Sequence, residues 1–348
     1  MNESVWRCEH EKYKNEKFPK IVSVGGGTGL SVLLRCLKSK TPNVTAVVTV
    51  ADDGGGSGML RDDLNMLPPG DIRNCILALA ETEPVMEKLL RYRFCDGTLK
   101  GQSFGNLFIA AMTGISDGNF VEAVQRVSEV LKVSGCVLPV TDANVELAAT
   151  LENGMHVSGE SLIGHSTHIY GSKISGVELK VKGDVDRKEK IRALPQVLDA
   201  IAEADLITLG PGSLYTSIVP NLIVSDVADA IHKAKAPVVY INNIMTQPGE
   251  TDGYNARNHY DAILAHTCPD FIDYCIVNTG RIADSIAERY RSEGAAPVEY
   301  TREMFDGVKS KIIEANLADV GADSKVRHNS AYLADMLIET VRGERNGK

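Results

Sequence analysis

Basic charge is what this chain lacks most for a nucleic-acid binder. Its 37 Lys and Arg face 46 Asp and Glu, a net charge of −9, and its pI is near 5.5. Proteins that track a phosphate backbone show a basic excess, so nucleic acid is not the expected partner. Small phosphorylated ligands stay open, because they need only local donors. Long apolar runs are missing too: none approaches the roughly 18 residues of a membrane span. The first 17 residues are polar and carry no apolar h-region, which argues against a signal peptide. The seven cysteines (Cys8, Cys36, Cys75, Cys95, Cys136, Cys268, Cys275) are odd in number and contain no C-x-x-C pair. Scattered thiols of this kind read as reduced side chains of a cytoplasmic protein. Fixed-period repeats, low-complexity tracts and flexible linkers are absent as well.

What is present is an ordinary globular composition, 43% hydrophobic and 24% charged. One stretch organises it. Lys20-Ile-Val-Ser-Val-Gly-Gly-Gly-Thr-Gly29 is a short β-rich run feeding four glycines in five residues. Leu30, Leu33, Leu34 and Leu37 then repeat at the spacing of a helix face. Strand, glycine turn and helix together present bare backbone N–H groups and a positive helix end to a phosphate.

From Pro19 the pattern alternates. Strands are expected at 21–24, 44–50, 205–209, 237–241, 271–277 and 298–300. Helices are expected at 30–38, 71–80, 84–94, from 107, 120–133, 195–204, 226–235, 260–266, 284–293 and 332–341. Such alternation predicts a doubly wound, mostly parallel α/β sheet. Residues 136–182 depart from it with short β-like pieces at 136–140, 148–151, 155–158, 161–163 and 174–181. Asn153-Gly154 marks a tight hairpin there. The organisation expected is a polar tail over 1–18 and one large α/β domain over 19–343, with a β-rich excursion at about 136–182.

Three loops carry candidate chemistry. In Gly25-Gly26-Gly27-Thr28-Gly29-Leu30, a dinucleotide fingerprint would need glycine where Leu30 stands, and a P-loop would need a lysine. The turn is therefore of neither standard kind, and a nicotinamide dehydrogenase is disfavoured. Asp52-Asp53-Gly-Gly-Gly-Ser-Gly58 places two carboxylates at the end of the second strand. They suit either hydrogen bonds to a ribose or sugar, or a Mg²⁺ that bridges phosphate oxygens. One aspartate is expected to face the ligand and the other to brace the loop. Gly210-Pro211-Gly212-Ser213, followed by Thr216 and Ser217, repeats the strand–glycine–helix logic in the second half. Loops of this kind on one parallel sheet suggest two ligand sites or one long ligand across the switch point.

Supporting polar groups are Arg73, Asn74, Asn106, Asn242 and Asn243. Arg73 suits a phosphate clamp or a surface ion pair with Asp71 or Glu81. Asp71 suits a helix N-cap, and Asn74 and Asn106 suit either caps or readers of a base. Tyr290 and Arg327 could close over a base or pyrophosphate, or simply sit on the surface. His165 and His168 have an H-x-x-H spacing without a third ligand, so zinc is not expected. His259 and His266 read as helix-surface residues. There is no Gly-x-Ser-x-Gly elbow, and no cysteine stands in an activating setting.

Taken together, several blocks carry a family resemblance. They include Ile-Val-Ser-Val-Gly-Gly-Gly-Thr-Gly-Leu, Val-Ala-Asp-Asp-Gly-Gly-Gly-Ser-Gly and Pro-Pro-Gly-Asp-Ile-Arg-Asn-Cys. Phe-Gly-Asn-Leu, Thr-Asp-Ala-Asn-Val-Glu-Leu, Gly-Pro-Gly-Ser-Leu-Tyr-Thr-Ser and Met-Thr-Gln-Pro-Gly-Glu-Thr belong with them. The chain from about Pro19 onward resembles the gluconeogenesis factor family (CofD-like, UPF0052). That resemblance implies a Rossmann-like three-layer α/β/α fold shared with 2-phospho-L-lactate transferase. It further implies a cytoplasmic role in cell shape and in growth on gluconeogenic carbon sources, with UDP-N-acetylglucosamine or a similar nucleotide-sugar as ligand. By the same analogy Gly25–Gly29 and Asp52/Asp53 hold the acceptor or phosphate side, and Gly210–Ser213 the nucleotide. The transferase has a Gly-Pro-Ser-Asn type of loop where this chain has Gly-Pro-Gly-Ser, a departure that bears on transfer chemistry more than on binding. Two readings follow: a nucleotide-sugar-binding regulatory protein with a protein partner or a homo-oligomeric form, or a Mg²⁺-dependent transferase using a nucleoside diphosphate carrier. Catalysis itself is not evident from these residues.

Overall fold

A strand buried on every residue needs cover on both faces, and this chain supplies several. A computed structural model describes residues 18–183, 190–321 and 323–346. The expected polar tail, apart from Phe18, lies outside the described residues. Strand β1 (Ile21–Gly25) is buried at all five positions. It leads into helix α1 (Gly27–Leu37), which buries Leu30, Leu33, Leu34 and Leu37 as their spacing requires. Strand β2 (Val44–Val48) is again buried throughout. Helices α2 (Gly55–Leu64), α3 (Gly70–Leu79), α4 (Pro84–Arg91), α5 (Phe104–Ile115) and α6 (Phe120–Val130) precede β3 (Cys136–Pro139).

An antiparallel sheet follows, made of β4 (Val145–Leu151), β5 (His156–Ser158) and β6 (Ile174–Val181). Short helices α7 (Glu160–Ile163) and α8 (Ser166–Tyr170) connect its last two strands in sequence. Helix α9 (Pro195–Ala202) returns the chain to β7 (Leu206–Leu209), a π-helical turn (Leu214–Ile218), α10 (Val219–Leu222) and α11 (Val227–Lys233). Then come β8 (Val238–Ile241), α12 (Ala256–His266), β9 (Tyr274–Asn278), α13 (Asp284–Ser292) and β10 (Lys311–Ala315). A hairpin of β11 (Ala318–Val320) and β12 (Val326–His328) precedes the closing helix α14 (Ser330–Asn346).

Among the described residues the main sheet has seven strands in the order β10-β9-β8-β7-β1-β2-β3, and every neighbouring pair is parallel. The first half of the chain winds outward from β1 through β2 to β3. The second half starts again on the other side of β1, at β7. Val24 is thus paired with Val47 on one side and Leu209 on the other. The reversal opens a crevice beyond the carboxyl ends of β1 and β7, where doubly wound sheets bind ligands. The mostly parallel α/β sheet expected from the alternation is observed, and it agrees with the Rossmann-like fold that the resemblance implies.

Several local expectations need correction. Residues 136–139 are the edge strand of the main sheet and not part of the excursion, because Cys136–Pro139 extends the parallel register from Thr45–Val48. Residues 161–163 are helical, since the chain turns at Gly159 (φ 100°) and Glu160–Ile163 closes one helical turn. The loop expected over 51–58 becomes helix α2 from Gly55 onward. Helix α1 begins at Gly27, earlier than Leu30. Residues 298–300 form no strand, although Val298 donates its N–H to the Ile244 carbonyl. Strand β10 and the β11–β12 hairpin went unpredicted, because their half-exposed residues lack a continuous apolar run.

The Leu stripe of α1 is the packing seam between β1 and α3. Leu34 has no exposed surface. Its replacement, Leu34→Ala, should lower stability by about 3 kcal/mol through lost burial and an unfilled cavity. The measurement is the urea midpoint, read at an unchanged denaturant slope.

Candidate functional site

The crevice is built from backbone. Gly210 donates its N–H to the Val24 carbonyl at 2.8 Å, which brings the turn after β7 (Leu206–Leu209) against the turn after β1 (Ile21–Gly25). Both turns must be glycine where they meet. A Cβ on Gly29 would lie 2.8 Å from the Pro211 carbonyl oxygen, and one on Gly26 would lie 2.6 Å from Asp71 Oδ2 and 2.7 Å from Thr49 Cγ2. Gly27 adopts φ 68°, the left-handed region that favours glycine. Asn221 ties the two halves together. Its Nδ2 donates to the Gly25 carbonyl at 3.0 Å and to the Ser217 carbonyl at 2.7 Å. Asn243 Nδ2 donates to the Gly212 carbonyl at 3.0 Å. Thr216 and Ser217 are buried behind the turn, while Thr28, Gly212 and Ser213 retain exposure.

Carboxylates crowd the other wall. Asp52 Oδ1 accepts the Gly54 N–H at 2.9 Å. Its Oδ2 lies close enough to Gly70 that a Cβ there would sit 2.9 Å away. Asp53 turns the opposite way: its Oδ1 accepts from Ser161 N–H at 2.9 Å and Ser161 Oγ at 2.6 Å. The neighbouring aspartates point apart, Asp52 onto its own loop at Gly54 and Asp53 onto Ser161. Asp53 pins the excursion to the main sheet, and Asp52 stays with the crevice.

Asp71 is not an N-cap, since Pro69 precedes its helix and no side chain caps it. The carboxylate instead accepts the backbone N–H of Gly27, at the start of helix α1 (Gly27–Leu37). Burial, and then the neighbouring Asp52, push the Asp71 carboxyl up to about 7. Glu160, delivered by α7 (Glu160–Ile163) of the excursion, is pushed to about 8 by burial and by Asp52, Asp53, Glu250 and Asp71. Glu250 is 1% exposed. It accepts the Tyr215 N–H at 2.6 Å, and burial still raises it to about 7. Residue reading alone missed Glu160 and Glu250 as site residues. Glu250 lies inside the Met-Thr-Gln-Pro-Gly-Glu-Thr block, a usable signal, whereas nothing around Glu160 marks it.

Nearby cations are committed elsewhere. Arg61 is 2% exposed, donates Nε to Asn144 Oδ1 at 2.9 Å and also reaches the Val145 carbonyl. Arg73 donates to Ser103 Oγ, to Asn106 Oδ1 at 2.8 Å and to Asn74 Oδ1 at 3.0 Å. Arg73, Asn74 and Asn106 thus form one network beside the second glycine loop, and Asn106 Nδ2 lies 3.5 Å from Ser57 Oγ.

Other predicted residues sit further along the sheet edge. Asn242 is structural: its Nδ2 donates to the Ala256 carbonyl at 2.8 Å, and its own carbonyl accepts from His328 Nε2 at 2.9 Å. That second bond fastens the β11–β12 hairpin to the end of β8 (Val238–Ile241). On this hairpin Arg327 forms a two-bond pair with Asp323 at 2.8 and 2.6 Å. The Tyr290 hydroxyl accepts the Val326 N–H at 2.8 Å. His259 is fully buried and His266 receives the Val177 N–H at 3.0 Å, so neither is a surface residue. His168 Nε2 lies 3.7 Å from Asp252. Among the described residues, no group of three or more His, Cys, Asp or Glu is placed to hold a metal ion alone. Burial raises the Cys75 thiol well above its usual value and pushes Cys275 to about 12, so neither is a ready thiolate.

Comparison with known proteins now bears on the site. The chain matches the family model described as 2-phospho-L-lactate transferase CofD over residues 21–318. It belongs to the CofD family. The matched span runs from β1 (Ile21–Gly25) to the start of the hairpin and so contains both glycine turns and all five carboxylates. A CofD-family relative, the gluconeogenesis factor of Bacillus subtilis, is 46% identical over 325 residues, 93% of this chain and 98% of that protein. The gluconeogenesis factor of Listeria monocytogenes is 41% identical over 338 residues, 96% of this chain and 99% of that protein. A crystal structure of a UPF0052-family protein from Bacillus halodurans has the same fold, with a TM-score of 0.86, 41% identity, and coverage of 92% of this chain and 99% of that one. Among the described residues, no helix is long and apolar enough to cross a membrane.

The raised carboxyls fix a pH dependence. Asp71, Glu160 and Glu250 keep their protons in the folded state at pH values where the unfolded chain has released them. Their favourable contribution is complete below the unfolded values near 4 and is lost as pH rises through about 7 to 8. The urea midpoint should therefore fall from about pH 5 to pH 8, and Glu160→Gln should flatten that fall. Midpoints at four pH values check it; a rise with pH would contradict the assignment.

Proposed function

We propose that this CofD-family chain is a gluconeogenesis factor that binds a nucleotide-linked sugar of the UDP-N-acetylglucosamine class in the crevice between the two glycine turns. The observation that carries the reading is the pair of backbone turns, Gly25–Gly29 and Gly210–Ser213, brought together at the switch point of the sheet. Backbone N–H groups of glycine turns that lead into helices suit the diphosphate. Tyr290 on α13, which accepts the Val326 N–H, and Arg327 on the hairpin, once released from Asp323, would offer an aromatic ring and a guanidinium to the base or pyrophosphate. In this reading the protein acts in the cytoplasm as a regulator of cell shape and of growth on gluconeogenic carbon, through a protein partner that reads the bound state.

Electrostatics add a requirement. A diphosphate entering beside Asp52 meets like charge there, and from Asp71 and Glu160 as well once these release their protons as pH rises through about 7 to 8, while Arg61 and Arg73 donate mainly to other partners. Mg²⁺ would suit these oxygen donors, with Asp52 and Asp71 holding it from the protein side. Its role would be to neutralise the phosphate charge. Calorimetric titration with UDP-N-acetylglucosamine should give saturable heat in Mg²⁺, weakened about tenfold or more by Asp52→Asn, which corresponds to about 1.4 kcal/mol. No heat at millimolar ligand would sink the reading.

The family description favours a second reading, transfer of a phospho-acyl group from a nucleoside diphosphate carrier to an acceptor hydroxyl. Asp52 or Asp53 would then support the metal, and Gly210–Ser213 the leaving nucleotide. Phosphorus NMR of a carrier–acceptor mixture tests it. Turnover should appear with Mg²⁺ and fall at least a hundredfold in the Asp52→Asn and Asp53→Asn variants, by the usual scale for lost charge stabilisation.

A further inference from the structure

Both neighbours of Glu160 are fixed by one carboxylate. A Cβ on Gly159 would lie 2.7 Å from Asp53 Oδ2, and Gly159 adopts φ 100°, so the position needs glycine twice over. On the other side, Asp53 Oδ1 accepts the Ser161 N–H at 2.9 Å and its hydroxyl at 2.6 Å. Gly159 also donates its N–H to the Leu147 carbonyl at 2.8 Å, and Ile163, at the end of α7 (Glu160–Ile163), is fully buried. The far end of this segment is tied to the other half of the chain. Ser166 Oγ and the Thr167 N–H of α8 (Ser166–Tyr170) both donate to the Gly249 carbonyl at 3.2 Å. Gly249 precedes Glu250, which holds the Tyr215 N–H just after the second glycine turn. The two short helices therefore bridge the Asp52–Asp53 loop and the Gly210–Ser213 turn.

So much fixation delivers a side chain that the fold does not use. Glu160 is half-buried, and among the described residues no hydrogen bond reaches its carboxyl. The charges that act on it most are all acids: Asp52, Asp53, Glu250 and Asp71. Asp71 holds the Gly27 N–H and Glu250 the Tyr215 N–H, so Glu160 stands near the groups behind both turns. A carboxyl kept for stability would be paired with a cation or with main-chain donors.

Strand order places this side chain along the ligand. Strands β8, β7, β1 and β2 are consecutive in the sheet. Neighbouring strands lie about 4.8 Å apart, so the four carboxyl ends span about 14 Å. A base at the end of β8 and a diphosphate between β7 and β1 leave the third part of a nucleotide-linked sugar, the sugar itself, at the loop after β2. Asp52, Asp53 and Glu160 stand there, and Asp53 is taken up by Ser161. We propose that Glu160 is a specificity-determining residue whose carboxyl hydrogen-bonds the sugar of the bound nucleotide-sugar. Its two oxygens can meet neighbouring hydroxyl or amide groups of the ring together. The assignment rests on the nucleotide-sugar reading above and adds to it which end of the ligand the α7–α8 bridge covers. Asp53 and Ser161 are then positioning residues, acting through Glu160.

Paired calorimetric titrations of the full chain with UDP and with UDP-N-acetylglucosamine, both in Mg²⁺, test the proposal. The readout is the ratio of the two dissociation constants, which reports the sugar alone. In Glu160→Ala the preference for the sugar-bearing ligand should fall at least tenfold, the scale of a lost hydrogen bond to an ionisable group. Relief of like charge would tighten both ligands, and a damaged fold would weaken both, so each leaves the ratio where it was. Glu160→Asp keeps the charge and shortens the reach, and should lower the preference at least threefold. A ratio unchanged in either variant overturns the assignment. Wild-type protein that binds neither ligand would instead fail the nucleotide-sugar reading itself, and the assignment with it.

Discussion

The approach of two main-chain turns, at Gly26–Gly29 and Gly210–Gly212, is the constraint on which the rest of the structure depends. Strands β1 and β7 are neighbours only because the second half of the chain restarts beside the first. Their turns then meet without room for a single Cβ between Gly29 and the Pro211 carbonyl. Packing at that contact is backbone on backbone, so it is specified by the absence of side chains. Asn221 and Asn243 complete it, their Nδ2 groups donating to the Gly25 and Gly212 carbonyls.

Charge works against that contact. Five carboxylates from four separate parts of the chain stand along one wall, and burial holds three of them above their ordinary range. Structural carboxylates are usually paired with nearby cations. Here Arg61 and Arg73 lie close but spend their donors on Asn144, Ser103 and Asn106, which lock helices α2, α3 and α5 in place. A wall that Arg61 and Arg73 compensate only in part is a poor contribution to stability and a good seat for a cation-bearing ligand. The excursion takes part in this: Ser161 holds Asp53, and the same short helix lowers Glu160 among the acids.

Much of the fold was legible because parallel strands must be apolar on both faces and helices must repeat every three to four residues. The runs at 21–24 and 44–50 and the leucine spacing of α1 carry those signatures without ambiguity. Both glycine turns were legible too, since backbone approach needs glycine. The short pieces were not. Residues 161–163 are β-prone by composition, yet Gly159 turns the chain and makes them helical. Strand β10 alternates no pattern strong enough to outweigh its exposed residues, and its place comes from pairing with β9. His259 and His266 looked superficial because the helix alone does not say what will pack on it; Tyr254 and strand β6 do.

By itself, then, the sequence determined the alternation of strands and helices, the two turns and the pair of aspartates, all of which are local consequences of residue size and spacing. Tertiary structure alone decided strand order, and with it which loops share a crevice. It also divided Asp52 from Asp53, brought Glu160 and Glu250 to the same wall, and committed Arg73 to Asn106. These groups are tens to hundreds of residues apart along the chain. Coulombic and steric terms act through space, so no local pattern records them.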